Sequence, residues 1–325
     1  MPLRSSLFRN DSKLQACLKA DSAHVVQGAK GPHVTRIQRA LELIFKPKID
    51  EADLTGARYG KSTAAAVLAY KRDRKIINRS YQKEADDIVG KMTIDKLDKE
   101  LLELDKKSVV EKAYATIPEA LAQVRSAKAR LFAARSSYSP GSLFPDHPER
   151  RIVDWNFKAH RASDPVLHIS RVLAIYDRME QGLFFASHMR NKFDLFLFSP
   201  EFPQDPGAPA YTTYGGMDHG MADKDARGEY KKAIYFTPEF ANKVFAASIV
   251  VHEFAHYCGG KEGSQTTIGH RASPRPAPRG RPLEDGSTDY AGMSAEDAFR
   301  NAQSYQCYCE PHTNGKPPAE LGPSV

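Results

Sequence analysis

The sequence has few of the features that mark membrane, disulfide-rich or nucleic-acid-binding proteins. Its 325 residues contain no apolar run of the length that a membrane span requires. Only four cysteines occur and none is spaced as C-x-x-C, which argues against a structural zinc knuckle. The net charge of +7 is spread along the chain, and no nucleic-acid module is recognisable. We therefore expect neither a membrane span nor a nucleic-acid partner.

The N-terminus also lacks a secretory signal, because the basic residues 1–9 are not followed by a hydrophobic segment. We expect the chain to stay in the cytoplasm or to leave by a signal-independent route, to the periplasm or outside. Two states of the cysteines fit the sequence. Cys258 could form a disulfide with Cys307 or Cys309, or all of them could be reduced and buried thiols.

What the chain does contain is one motif around which the rest is organised. Residues 252–256 read His-Glu-Phe-Ala-His, the H-E-x-x-H pattern of zinc peptidase helices. Residues four apart share a helical face, so His252 and His256 can direct both imidazoles at one Zn²⁺ ion. Glu253 follows the first histidine, where it can take a proton from a metal-bound water as general base.

The flanks of the motif strengthen this interpretation. H-E-x-x-H occurs by chance in proteins without a metal, but here the apolar run 245–251 leads into it and Gly259-Gly260 follow it. The run predicts a buried helix, and the glycines predict that the helix stops there. With 41% hydrophobic residues, the chain is long enough to bury such a helix in one of two domains.

The first of these domains is predicted over residues 26–104, after an extension at 1–25 that has no strong pattern. Three segments carry it: residues 31–41 (Gly-Pro-His-Val, then Ile-Gln-Arg-Ala-Leu), 59–63 (Tyr-Gly-Lys-Ser-Thr) and 88–93 (Ile-Val-Gly-Lys-Met-Thr). In this order they resemble the three-helix peptidoglycan-binding domain of bacterial wall hydrolases. That resemblance implies peptidoglycan binding through 26–104, or a role as spacer or docking domain.

A linking segment is predicted over 105–145, and a catalytic domain over 146–312. The linking segment belongs to a long charged helix over 101–135 that is interrupted or restarts near Pro118, followed by a Ser/Pro-rich loop. Near residue 200 the pattern becomes loop-like, and it remains so to residue 225. The tail at 313–325 has no predicted structure.

Two strands and several helices are predicted within the catalytic domain. The strands cover 193–198 and 233–237, and we expect the second to be the edge strand beside the motif helix that pairs with an extended substrate. The predicted helices cover 166–179 and, from an N-cap at Ser294, 295–309. Residues 261–285 form an Arg/Pro-rich insertion between the motif and the last helix.

A catalytic zinc ion needs a third protein ligand and an open position for water. The sequence offers four candidates for that ligand: Glu262, His270, Asp289 and Glu296. Glu262 has metzincin-like spacing, whereas Glu296 has the helical position of a gluzincin glutamate.

A further resemblance favours Asp289. Residues 286–291 (Gly-Ser-Thr-Asp-Tyr-Ala) and 298–305 (Ala-Phe-Arg-Asn-Ala-Gln-Ser-Tyr), together with the lead-in at 234–240, resemble elements of the aspzincins, the deuterolysins and lysine-specific metalloendopeptidases. The resemblance implies Zn²⁺ held by His252, His256 and Asp289. The family tyrosine that stabilises the oxyanion falls on Gly292 here.

A phenol from another position would have to replace that tyrosine, because a donor is useful where negative charge develops on the reacting carbonyl. Tyr290 and Tyr305 are the predicted catalytic tyrosines, and Tyr211 and Tyr214 are further candidates. For each of them, packing in the core is the competing interpretation.

The predicted fold is α+β: a small three-helix domain, a long linking helix and a mostly helical zincin-like domain with a small sheet. The predicted function is that of a bacterial zinc metalloendopeptidase, targeted to the wall or exported, that hydrolyses polypeptides. One alternative is a hydrolase of peptidoglycan stem peptides that acts as an antibacterial effector. A second is a catalytically inactive wall-binding protein.

Overall fold

The computed structural model describes residues 2–80, 82–188, 195–200, 207–213, 233–259, 268 and 293–309. The chain divides into two compact units, Met1–Ser108 and Val109–Val325. The two units combine helices with a small three-stranded sheet, which confirms the predicted α+β class. Among the helices in the described ranges, none is both long and apolar enough to cross a membrane.

Unit 1 is a set of helices around one apolar core. Its helices are α1 (Ser12–Cys17), α2 (Pro32–Ile44), α3 (Glu51–Thr55), α4 (Lys61–Asp73) and the start of α5 (Lys91–Arg135). The residues ahead of 26, predicted as an extension, belong to this core, because Leu3, Phe8 and Leu14 are buried in it.

Helix α5 corrects two predictions. It is continuous from Lys91 to Arg135, so the predicted break near Pro118 is wrong. Its second part was predicted as a linking helix ahead of the catalytic domain, but one face of it is buried in the core of unit 2. The residues on that face are three or four positions apart, as an amphipathic helix requires: Val109, Ala113, Ile117, Ala120, Val124, Ala127, Leu131 and Ala134. This buried face holds the helix together across the proline.

The core of unit 2 is centred on helix α8 (Ala246–Cys258). Helices α6 (Pro148–Phe157), α7 (Pro165–His188), α9 (Ala295–Phe299) and α10 (Ala302–Cys309) complete the helical part, and α8 packs against α7 and α10. Gly182 permits the crossing of α7 and α8, because a Cβ added there would lie 2.9 Å from Cε1 of Phe254. Ser294 caps α9 as predicted, but the predicted final helix is divided at Arg300 and Asn301 into α9 and α10.

Within the described ranges, the sheet has three short strands in the order β1-β3-β2. Strand β1 (Phe196–Phe198) pairs in parallel with β3 (Ile234–Phe236), and β2 (Ala210–Thr212) pairs antiparallel with the other side of β3. Strand β3 is therefore central, and its prediction as the edge strand is wrong. The edge strand that packs on α8 is β2, which lies in a stretch predicted to be loop.

Candidate metal centre

Helix α8 carries the predicted histidine pair in a buried position. His252, Glu253 and His256 are 8%, 6% and 5% exposed. Most of the run that precedes them is buried as predicted, but its first residue, Phe245, is 60% exposed. The helix ends at Cys258, and Gly259 follows in an extended conformation. A Cβ at Gly259 would lie 2.8 Å from the main-chain nitrogen of Ile268, so the glycine is required for the close approach of that segment.

The two imidazoles are each anchored through Nδ1. His256 Nδ1 lies 2.8 Å from the main-chain oxygen of Ile268, and His252 Nδ1 lies 3.0 Å from Oε1 of Gln306. Both oxygens only accept hydrogen bonds, so each Nδ1 carries the hydrogen and donates it. In the neutral imidazole the other nitrogen, Nε2, is then an acceptor with a lone pair.

These two Nε2 atoms face each other at a separation of 3.1 Å. Two lone pairs at this distance repel each other unless a cation, a proton or a metal ion, lies between or beside them. In a tetrahedral zinc site with Zn–N bonds of 2.0–2.1 Å, two ligand nitrogens are about 3.3 Å apart. The donor atoms and their spacing therefore fit zinc, and the anchored Nδ1 atoms supply the outer hydrogen bonds that metal-binding histidines generally have.

Glu253 is held by a residue of the sheet. The hydroxyl of Thr212, the last residue of β2, lies 2.7 Å from Oε2 of Glu253 and 3.0 Å from its main-chain oxygen. Burial raises the pKa of Glu253 to about 7, and the hydrogen bond from Thr212 acts in the opposite direction. A carboxyl with such a pKa suits a general base that works near neutral pH.

A catalytic zinc ion would need a third protein ligand beside the two histidines. Within the described ranges, no group of three or more His, Cys, Asp and Glu side chains could hold a metal ion. Glu296 is engaged elsewhere, because its carboxylate accepts two hydrogen bonds from Arg171, at 2.8 and 3.1 Å, and one from Arg300. The candidates Asp289, Glu262 and His270 lie outside the described residues.

The two candidate catalytic tyrosines that lie in the described ranges, Tyr211 and Tyr305, pack in the interior. Tyr305 is fully buried, and its hydroxyl donates to the main-chain oxygen of Phe299 at 3.0 Å. This arrangement favours a packing role for Tyr305 over the predicted catalytic one. Tyr211 is stacked on Tyr235 with ring centroids 5.0 Å apart. Tyr290 and Tyr214 lie outside the described residues.

None of the four cysteines, all of which lie in the described ranges, forms a disulfide. Of the two alternatives that fit the sequence, the disulfide from Cys258 to Cys307 or Cys309 is not formed, and the structure has reduced thiols. Burial raises the pKa of Cys309 to about 12, so this thiol remains protonated and unreactive at neutral pH.

Three groups that position the motif were not found from the sequence: Thr212, Gln306 and the carbonyl of Ile268. A signal existed for the first, since residues 210–213 read Ala-Tyr-Thr-Thr, a composition typical of a strand. Nothing in the local sequence marked the other two.

No protein-family model, curated protein or solved structure matches this chain. The resemblance to aspzincins therefore rests on the motifs of this chain alone.

Proposed function

We propose that the chain is a zinc-dependent metalloendopeptidase with Glu253 as its general base. The observation that carries the proposal is the pair of Nε2 atoms 3.1 Å apart, each on an imidazole whose Nδ1 is already engaged. A buried histidine pair without a cation would place two lone pairs against each other at an energetic cost. The neighbouring buried carboxyl of Glu253 supports hydrolysis over a purely structural metal site.

Each residue of the centre has a distinct task in this proposal. His252 and His256, with Asp289 as third ligand, would hold a zinc ion, which supplies an activated water and polarises the scissile carbonyl. Glu253 accepts the proton of the attacking water and passes it to the leaving amine. Thr212 holds the Glu253 carboxyl in place. Strand β2, at the edge of the sheet, is the segment on which an extended substrate backbone can pair.

Zinc content and activity test this proposal together. We expect near-stoichiometric zinc in the purified wild type, marked loss in Asp289→Ala, and retention in Glu296→Gln. Glu253→Gln should retain zinc but lose peptidase activity by at least about 100-fold, because the general base is removed. A wild type that takes up no zinc would refute the proposal. Full zinc in Asp289→Ala would transfer the third-ligand role to Glu262 or His270.

The substrate is proposed from the two-unit organisation. Met1–Ser108 forms a compact unit of its own, as an attached binding module would. Its resemblance to peptidoglycan-binding domains supports a wall-active enzyme that cuts stem peptides as the second candidate function. Activity against a denatured protein and against purified peptidoglycan sacculi, compared on the same preparation, separates the two. Binding to sacculi without cleavage of either substrate would support the inactive wall-binding protein instead.

A further inference from the structure

Gln306 is the side chain that anchors the first histidine of the motif. Its Oε1 lies 3.0 Å from Nδ1 of His252, although the two residues are 54 positions apart in the sequence. Gln306 is only partly buried, but the neighbouring residues of α10 are fixed in the core: Tyr305 and Tyr308 are fully buried. Helix α10 also packs against α8. The amide is therefore presented to the imidazole from a rigid element.

The two histidines differ in how they are held. His256 donates to the main-chain oxygen of Ile268, which no substitution at residue 268 removes. His252 donates to a side chain, so its orientation depends on the identity of residue 306. An acceptor at Nδ1 keeps the hydrogen there and leaves the Nε2 lone pair for a metal ion. Loss of the acceptor removes the hydrogen bond that favours the hydrogen on Nδ1 of His252.

We infer that Gln306 is a positioning residue that sets the tautomer and the orientation of His252 for metal binding, an inference that rests on the proposed function. Because the amide is neutral, it orients the ring without adding the negative charge that a carboxylate partner would bring. The inference predicts that a glutamate at this position strengthens metal binding and that an isosteric side chain without an acceptor weakens it.

The test compares zinc affinity in Gln306→Met and Gln306→Glu, measured by competition with a chromophoric chelator. Methionine has a similar size but no comparable acceptor, so zinc should bind about 10- to 100-fold more weakly than to the wild type. Gln306→Glu should bind zinc at least as tightly as the wild type. The matched control is Gln303→Met, the same substitution at another half-buried glutamine of α10, which should leave the affinity unchanged.

A second readout needs no metal. In metal-free protein with ¹⁵N-labelled histidine, the nitrogen shifts should show Nδ1–H for His252 in the wild type and a mixture of tautomers in Gln306→Met, with His256 unchanged. If Gln306→Met does not fold, Gln306→Asn is used in its place. The asparagine side chain is shorter by one carbon–carbon bond of about 1.5 Å, which moves the amide away from Nδ1 of His252.

The outcomes separate this inference from the proposed function. Zinc affinity in Gln306→Met equal to that of Gln303→Met would overturn the inference while the proposed function stands. A wild type that binds no zinc would overturn the proposed function. That result would also overturn the role of Gln306 in metal binding, and the tautomer measurement would then show only whether Gln306 sets the tautomer of His252.

Discussion

Replacing Tyr305 by phenylalanine distinguishes the two roles considered for this residue. The substitution removes one hydroxyl and keeps the ring, which packs against Phe157 and Tyr176 in the interior of unit 2. In the structure the hydroxyl donates to the main-chain oxygen of Phe299 at 3.0 Å. We therefore expect Tyr305→Phe to affect stability and not catalysis.

The magnitude follows from the burial of both partners. Tyr305 is fully buried and Phe299 is 2% exposed, so water does not readily replace the lost donor. Leaving a buried acceptor without this partner costs about 1–3 kcal/mol. For a unit of this size, each kcal/mol lowers the melting temperature by about 2–4 °C. An oxyanion donor would behave differently, because its removal lowers kcat by about 10²–10³.

The single tryptophan makes the stability measurement specific. Trp155 is the only tryptophan in the chain, and it packs against Met293 and Ala298, in the same unit as Tyr305. Its fluorescence in a urea titration therefore reports the unfolding of unit 2, without a contribution from unit 1. Activity is measured per bound zinc, so that any loss of folded protein does not appear as a loss of catalysis.

Tyr176→Phe is the matched control for this experiment. Tyr176 belongs to the same aromatic cluster, and its hydroxyl donates to the main-chain oxygen of Tyr305 at 3.1 Å. Both variants should lose stability to a similar extent and keep their activity per zinc. A loss of about 100-fold or more in kcat in Tyr305→Phe alone, at unchanged stability, would refute the packing role and restore the catalytic one.

Three further predictions concern the surroundings of the centre. Gly182→Ala should lower the melting temperature, because overpacking against Phe254 at about 1–3 kcal/mol outweighs the gain in helix propensity of about 1 kcal/mol. Thr212→Val should lower kcat on the order of tenfold, with KM and zinc content unchanged, because a hydrogen bond to the Glu253 carboxylate is lost. The pKa of Glu296 is lowered in the folded protein, chiefly by the hydrogen bond from Arg171. The stability that this carboxylate contributes is therefore present above the pKa of an unfolded-state glutamate, near 4.3, and is lost as the pH falls through the lower pKa of the folded state. Glu296→Gln should therefore reduce the loss of stability between about pH 6 and about pH 3, followed by tryptophan fluorescence.

Each of these predictions has its own comparison. Gln181→Ala, on the exposed side of α7, should not lower the melting temperature, and equal effects at 181 and 182 would contradict the steric argument. Thr237→Val removes a hydroxyl that donates to the main-chain oxygen of Ala208, away from Glu253, and should leave kcat unchanged. Identical acid unfolding of wild type and Glu296→Gln would show that this ion pair does not contribute.

Features that depend on neighbouring residues could be predicted well. The motif helix, its apolar lead-in and its end before Gly259 follow from helical spacing and a helix-breaking residue, all within 15 positions. The cap at Ser294 is likewise local, and its side chain accepts from the Asp297 amide as expected. The signal for the second part of α5 was also present, at spacings of three and four from Val109 to Ala134. Its many charged residues led to the prediction of a linking helix instead.

The sheet could not be ordered from the sequence, because the position of a strand in a sheet is not a local property. Residues 234–236 are apolar and β-branched or aromatic, which predicts a strand but not how many partners it has. Strand β3 became central because Ala210–Thr212 pairs with its second side. Those three residues lie in a stretch whose glycines and prolines indicated a loop, so the edge strand was assigned to the wrong segment.

The same distinction explains what the motif can and cannot reveal about the centre. His252, Glu253 and His256 are brought together by one helix, so their spacing alone predicts a metal pair and an adjacent base. What makes the imidazoles and the carboxyl usable comes from elsewhere: Thr212 is 41 residues before Glu253, and Gln306 is 54 residues after His252. In the proposed centre, these partners would set the tautomer of His252 and the orientation of Glu253. A chain that has the motif but lacks these partners would have the same three residues without the hydrogen bonds that orient them. The partners therefore distinguish the proposed centre from a chance occurrence of the motif better than the motif itself does.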